Sequence, residues 1–152
     1  MRISRLNHAV LFVEDLPRAV AFYRDVLGFE PFADEGAMVF LRAPGSANHH
    51  DLALARARAP RAPRGAVGLY HLAWEVERIE DLAEARRILD AAGALVGTSD
   101  HGATKSVYGV DPDGNEFEIM WMLPPEAWGE YADRGVVLPL DLEAEVARWG
   151  GG

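Results

Sequence analysis

His8, His71 and Glu118 are the residues of this chain whose types and placement could do chemistry. Two imidazoles and one carboxylate can take adjoining positions around a divalent cation and leave others open for a substrate. The sequence contains no cysteine, which removes disulfides, thiolate zinc sites and cysteine nucleophiles from consideration. Any metal must therefore rest on imidazole and carboxylate donors. Side chains alternate along a strand, so faces can be read directly. Leu6, His8, Val10 and Phe12 share one side of a first strand-like run, and Leu69, His71, Ala73 and Glu75 one side of a second. In a third run Glu116, Glu118, Met120 and Met122 lie on one side, and Phe117, Ile119 and Trp121 on the other. The second set suits the underside of a helix, which turns Glu118 the opposite way. Taken singly, a histidine in an apolar strand is more often a core residue than a ligand, and a glutamate near a turn is more often solvated. Two histidines at matching places of a duplicated pattern are harder to attribute to packing.

That duplication is the main feature of the chain. Leu6 to Phe29 and Leu69 to Ala94 each open with a β-like run carrying a histidine, continue as an amphipathic helix and stop at a glycine, Gly28 or Gly93. In the first helix Leu16, Ala19, Tyr23, Val26 and Leu27 share a face, behind Asp15 as N-cap and Pro17 in the first turn. In the second, Ile79, Leu82, Ala85, Ile88, Leu89 and Ala92 keep the same period. Strand-like runs follow each helix: Phe29–Ala33, Ala37–Arg42 and His50–Ala55, then Leu95–Ser99, Lys105–Val110 and Glu116–Met122. Turn residues separate them, most clearly the DPDGN run at Asp111–Asn115. The predicted fold class is α+β, two βαβββ modules paired into a curled mixed sheet around a metal cleft. If a pseudo-twofold relates the halves, His8 and His71 come from equivalent places and converge, and Glu118 completes the set. The expected organisation is one domain over 1–123, with modules at about 4–56 and 67–123, a linker at 57–66 and a packed tail at 124–152.

Composition narrows the partners. The 152 residues are 49% hydrophobic and 26% charged, as in an ordinary globular domain. A formal net charge of −9 opposes binding to a phosphate backbone. Arg56, Arg58, Arg61 and Arg64 fall in the proline-bearing linker, where a solvated connector is the plainer reading. No secretory leader pattern opens the chain and no apolar run nears the length of a membrane span, so a cytoplasmic location is expected, with a small molecule rather than nucleic acid or membrane as partner.

The segments NHAVLFVEDLPRAVAFYRDVLGF, LYHLAWEV and DPDGNEFEIMW together resemble the vicinal oxygen chelate superfamily, which includes glyoxalase I, extradiol dioxygenases and fosfomycin and bleomycin resistance proteins. The resemblance spans roughly residues 4 to 123 and implies ligands at His8, His71 and Glu118, the residues already singled out. NHHDLALAR, from Asn48, and DHGATKSVYGVDPDGNEFE, from Asp100, resemble the catechol 2,3-dioxygenase-like branch. That resemblance implies His50 as an acid–base residue, Tyr108 as a substrate-orienting residue and His101 as a polar cleft residue, with His49 read as a solvent-facing loop residue. It also implies a homodimer. Two departures stand against the two-domain dioxygenases: this chain has a single pair of modules, and Ala103–Ser106 lacks their second histidine.

On this reading the ion is foremost Fe(II), with Mn, Zn, Ni or Mg as other divalent candidates, and a catechol-like diol is the substrate. Met38, Phe40, Met120 and Trp121 could line a cleft, with core packing the plainer assignment. The competing readings are an isomerase or thiol transferase using the metal as Lewis acid, and a drug-sequestering protein. In the tail, Trp128 and Tyr131 are expected to pack, and Leu142 to Trp149 to form a short helix.

Overall fold

The structure is a computed structural model and describes residues 1–151. The chain divides into two compact units, Met1–Ala66 and Val67–Gly152, and each holds one βαβββ module. In the first, β1 (Ala9–Val13) leads into α1 (Leu16–Asp25), then β2 (Glu30–Asp34), β3 (Met38–Arg42) and β4 (Leu52–Arg56). In the second, β5 (His71–Glu75) leads into α2 (Ile79–Ala91), then β6 (Leu95–Asp100), β7 (Thr104–Val110) and β8 (Glu116–Met122). Each module has its own four-stranded mixed sheet, ordered β1–β4–β3–β2 and β5–β8–β7–β6. The first and last strands of each module pair in parallel and the rest antiparallel. The paired-module fold expected from the sequence is the fold observed.

The local chemistry explains the elements. Asp15 caps α1, its carboxylate accepting the Arg18 N–H at 3.0 Å, and Gly28 ends the helical stretch at φ 73°. Helix α1 buries Leu16, Ala19 and Tyr23 over a sheet whose Leu41, Leu52 and Leu54 are fully buried. Helix α2 buries Ile79, Leu82 and Leu89, and β8 supplies Phe117, Ile119 and Trp121 to the core. Gly109 lets this packing close, because a Cβ there would come within 2.6 Å of the Phe117 ring. Each leucine, isoleucine or phenylalanine so buried contributes roughly 1.5–3 kcal/mol.

The DPDGN turn fixes the register that matters. Buried Asp111 accepts the backbone N–H groups of Asp113 and Asn115 at 2.9 and 2.8 Å and the Asn115 amide at 2.9 Å. Gly114 takes the left-handed conformation at φ 78° that the turn requires. As a result β7 and β8 pair with Tyr108 directly opposite Glu118.

After β8 come short 3-10 turns at Pro125–Ala127 and Gly129–Asp133, then α3 (Leu142–Trp149), which packs on α2. Among the described residues no helix is long and apolar enough to cross a membrane.

Candidate metal centre

In the second unit His71 opens β5, and Glu118 lies on the neighbouring strand β8, where it faces Ala73 in the register. His71 Nε2 and Glu118 Oε2 are 3.0 Å apart. Glu118 is 8% exposed, and a carboxylate taken that far out of water needs partners. Its other oxygen, Oε1, accepts the Ser106 hydroxyl at 2.5 Å. Ser106 is itself fully buried and lies two residues before Tyr108 on β7, on the same face. The carboxylate is thus held on one oxygen and presents the other to the imidazole. The His71 ring lies 4.7 Å from that of Tyr70 and 5.7 Å from that of Tyr108. Its Nδ1 is buried with no hydrogen-bond partner among the described residues, so Glu118 and ring packing fix its orientation.

Tyr108 is half-buried. Burial pushes its phenol above the ordinary range and the Glu118 charge adds to this, while the Ser106 and Ser99 hydroxyls work in the opposite direction. His101 Nε2 lies 2.7 Å from the phenol oxygen. Two of the three residues that the resemblance placed near the site therefore form one pair.

In the first unit His8 precedes β1 by one residue and is exposed. Its Nδ1 stands 2.9 Å from Asn7 Oδ1, and its ring lies 4.3 Å from that of His50. His50 was expected within a strand but sits in the loop before β4, which begins at Leu52. Asp51 explains the shift. It is 7% exposed and accepts the Ala43 N–H, the Ser46 hydroxyl and the Asn48 amide at 2.8, 2.8 and 2.7 Å. Burial alone would raise its pKa, but these bonds and the Arg42 charge hold it below the usual carboxylate range. The anchored loop carries His49, which is exposed, and His50, which is half-buried. Their Nδ1 atoms are 3.1 Å apart. Burial lowers the His50 pKa, His8 and His49 lower it further, and Asp51 opposes them. Of the apolar candidates, Met120 and Trp121 are buried, whereas Met38 and Phe40 are half-buried.

Sequence reasoning missed Ser106 and the anchoring role of Asp51. The signal for Ser106 was present: a small hydroxyl sharing the face of Tyr108 in a strand otherwise suited to burial. Asp51 left no comparable trace.

The fold defines a class of proteins built from paired βαβββ modules, and the comparisons with known proteins fall within it. The model of the Glyoxalase/Bleomycin resistance protein/Dioxygenase superfamily matches residues 5–119. The chain belongs to that superfamily. A manganese-dependent 2,3-dihydroxybiphenyl 1,2-dioxygenase of Geobacillus genomosp. 3 is 31% identical over 123 residues, 78% of this chain and 37% of that protein. Biphenyl-2,3-diol 1,2-dioxygenase 3 of Rhodococcus globerulus is 34% identical over 119 residues, 76% of this chain and 62% of its own length. The chain thus spans less than two thirds of each of these relatives. Among solved structures, a lactoylglutathione lyase from Agrobacterium tumefaciens is similar at a TM-score of 0.61 and 27% identity, over 80% of this chain and 96% of the other. A glyoxylase/bleomycin resistance protein/dioxygenase domain from Frankia sp. EAN1pec reaches 0.68 at 22% identity, over 80% and 100%, and shows the fold.

The superfamily and these relatives imply a divalent metal. The second unit fits one. Two donors about 2.1 Å from a common ion and at right angles stand about 3 Å apart, which is the His71–Glu118 separation. The hydrogen bond that steadies the carboxylate is of the kind that supports metal ligands. Among the described residues, neither unit by itself groups three His, Asp or Glu side chains as a metal site.

Proposed function

We propose that this chain is a metal-dependent, extradiol-type ring-cleaving dioxygenase acting on a catechol-like small molecule. The ligands in this reading are His71 and Glu118, with His8 as the third. His50 and Tyr108 act on the substrate. The observation that carries the reading is the His71–Glu118 pair, its buried carboxylate clamped by Ser106 beside Tyr108, in a chain 31–34% identical to enzymes named for such reactions. His8 is supported by its position: it leads β1 as His71 leads β5.

A divalent ion in this set supplies the Lewis acidity that acidifies a diol and, as Fe(II) or Mn(II), the redox chemistry that activates dioxygen. The remaining work belongs to the side chains. Tyr108, its pKa raised by burial, keeps its proton at neutral pH and orients a substrate oxygen by hydrogen bonding. His50 engages His49 through Nδ1, which leaves Nε2 to accept a proton from a ring hydroxyl and return it to the product. The test is oxygen uptake by protein loaded anaerobically with Fe(II) or Mn(II), against a panel of catechols. Oxygen-dependent ring opening is expected. A fully loaded protein that turns over none of them overturns the proposal. Light scattering checks the proposed homodimer.

One observation favours a second reading. The chain covers nearly the whole of the lactoylglutathione lyase structure but only part of the dioxygenases. An isomerase or thiol transferase would work without oxygen and with Mg²⁺ or Zn²⁺, and an anaerobic assay with those ions separates the two.

A further inference from the structure

The segment after β8 is tied to the β6–β7 turn at several points. Asp100 and Leu138 exchange both backbone hydrogen bonds, each at 2.9 Å. The Tyr131 ring lies so close to Gly102 that a Cβ there would come within 2.3 Å of it, and Gly102 sits at φ 78°. Buried Lys105 pairs with Asp100 at 2.6 Å and reaches Glu145 of α3 at 3.8 Å. Trp149 of α3 packs 6.0 Å from Trp121 of β8. Between these ties the Val136 carbonyl meets His101 Nδ1 at 2.6 Å.

That last contact has a chemical consequence. A carbonyl oxygen can only accept, so His101 Nδ1 must carry a proton. In the neutral ring Nε2 is then a bare lone pair, and the Tyr108 hydroxyl, 2.7 Å away, donates to it. With its one proton directed to His101, the phenol oxygen meets everything else as an acceptor. Both Ser106 and Ser99 lie beside the phenol, but Ser106 commits its proton to Glu118, so only Ser99 can donate to one phenol lone pair. The other is left for a ligand.

We propose that the C-terminal segment is a positioning element for this site: the Val136 carbonyl sets the His101 tautomer, and His101 in turn makes Tyr108 a hydrogen-bond acceptor toward a substrate hydroxyl. The proposal takes the site as read under Proposed function. It adds the class of group that Tyr108 recognises, a protonated hydroxyl rather than a carbonyl or ether oxygen. His101 and the strap are positioning groups, since neither needs to touch the substrate.

Imidazole nitrogen NMR on the metal-free full-length protein tests the tautomer without turnover. His101 is expected as the Nδ1–H form with Nε2 unprotonated. Either Leu138→Pro, which deletes one strap hydrogen bond, or Tyr131→Ala, which frees Gly102, is expected to give a mixture of tautomers while the melting transition stays cooperative. An Nε2–H form in the unaltered protein, or an unchanged tautomer in both folded variants, overturns the proposal. In the loaded enzyme, His101→Leu is expected to lower kcat about 10- to 100-fold at unchanged metal content. His101→Gln, which restores an acceptor, is expected to recover part of the loss. Failure of every catechol to react would count against the enzyme reading and leave the NMR result to decide this one.

Discussion

The two modules share their backbone plan in detail but not their chemistry. His8 leads a strand paired in parallel with β4, as His71 leads one paired with β8. Two residues beyond each histidine the register gives Val10 opposite Ala53 and Ala73 opposite Glu118. One strand further, Ala53 faces Phe40 where Glu118 faces Tyr108. Even the irregularity repeats: β2 slips register between Pro31 and Ala33 and β6 between Leu95 and Gly97, so that Ala33 and Gly97 face Phe40 and Tyr108. An alanine–phenylalanine pair in one module thus occupies the place of a glutamate–tyrosine pair in the other. The backbone plan alone does not make a site. The second module carries the carboxylate, the serine that holds it and the phenol, whereas the first carries a cluster of His8, His49 and His50.

Transplanting the carboxylate is the harshest test of this comparison. Ala53 is fully buried, and Met38 stands two residues before Phe40 where Ser106 stands two before Tyr108, so an incoming carboxylate would find no hydroxyl to hold it. Ala53→Glu is expected to cost about 3–5 kcal/mol, read from chemical denaturation; a smaller loss would mean the first module can also house a charge there. In the second module, Glu118→Gln should weaken Mn(II) or Fe(II) binding by more than the 10- to 100-fold typical of losing an outer partner, as measured by calorimetry. Ser106→Ala should fall within that 10- to 100-fold range, and an unchanged affinity would show that the Ser106 bond does not hold the ligand. Tyr108→Phe, which gives the second module the side chain of Phe40, is expected to lower kcat about tenfold, near 1.4 kcal/mol, without loss of metal.

The smallest effect concerns the helices. Asp15 caps α1, but Arg78, at the equivalent place on α2, makes no side-chain cap bond. Glu80 in the first turn of α2 instead bonds Arg78 and the Gly151 N–H, which lower its pKa from 4.5 to about 2. A carboxyl depressed in this way contributes stability above its ordinary pKa and loses it as pH falls from about 4.5 toward 2. Melting curves of Glu80→Gln should therefore be flatter than wild type across that window and parallel to it above pH 5.

Local rules made most of this visible in advance. Asp15, Gly28 and Gly93 marked helix boundaries, and alternation in Glu116–Met122 separated Glu118 from the core residues Phe117 and Ile119. What stayed hidden depends on partners distant in sequence. Ser106 looks ordinary until β7 and β8 are in register, and nothing about Val136 announces that its carbonyl orients an imidazole 35 residues away. His50 was misjudged by a strand boundary because apolar alternation ran on toward Asp51, whereas the buried carboxylate of Asp51 holds a loop there.

The parallel pairing of each module's first and last strands carries a kinetic corollary. His71 starts the second module and Glu118 sits in its final strand, so the two cannot meet until the helix and both intervening strands have been laid down. Long-range parallel pairings of this kind form late and slowly. A nascent or partly unfolded chain therefore cannot assemble this pair, and a divalent ion would find both donors together only on a finished module.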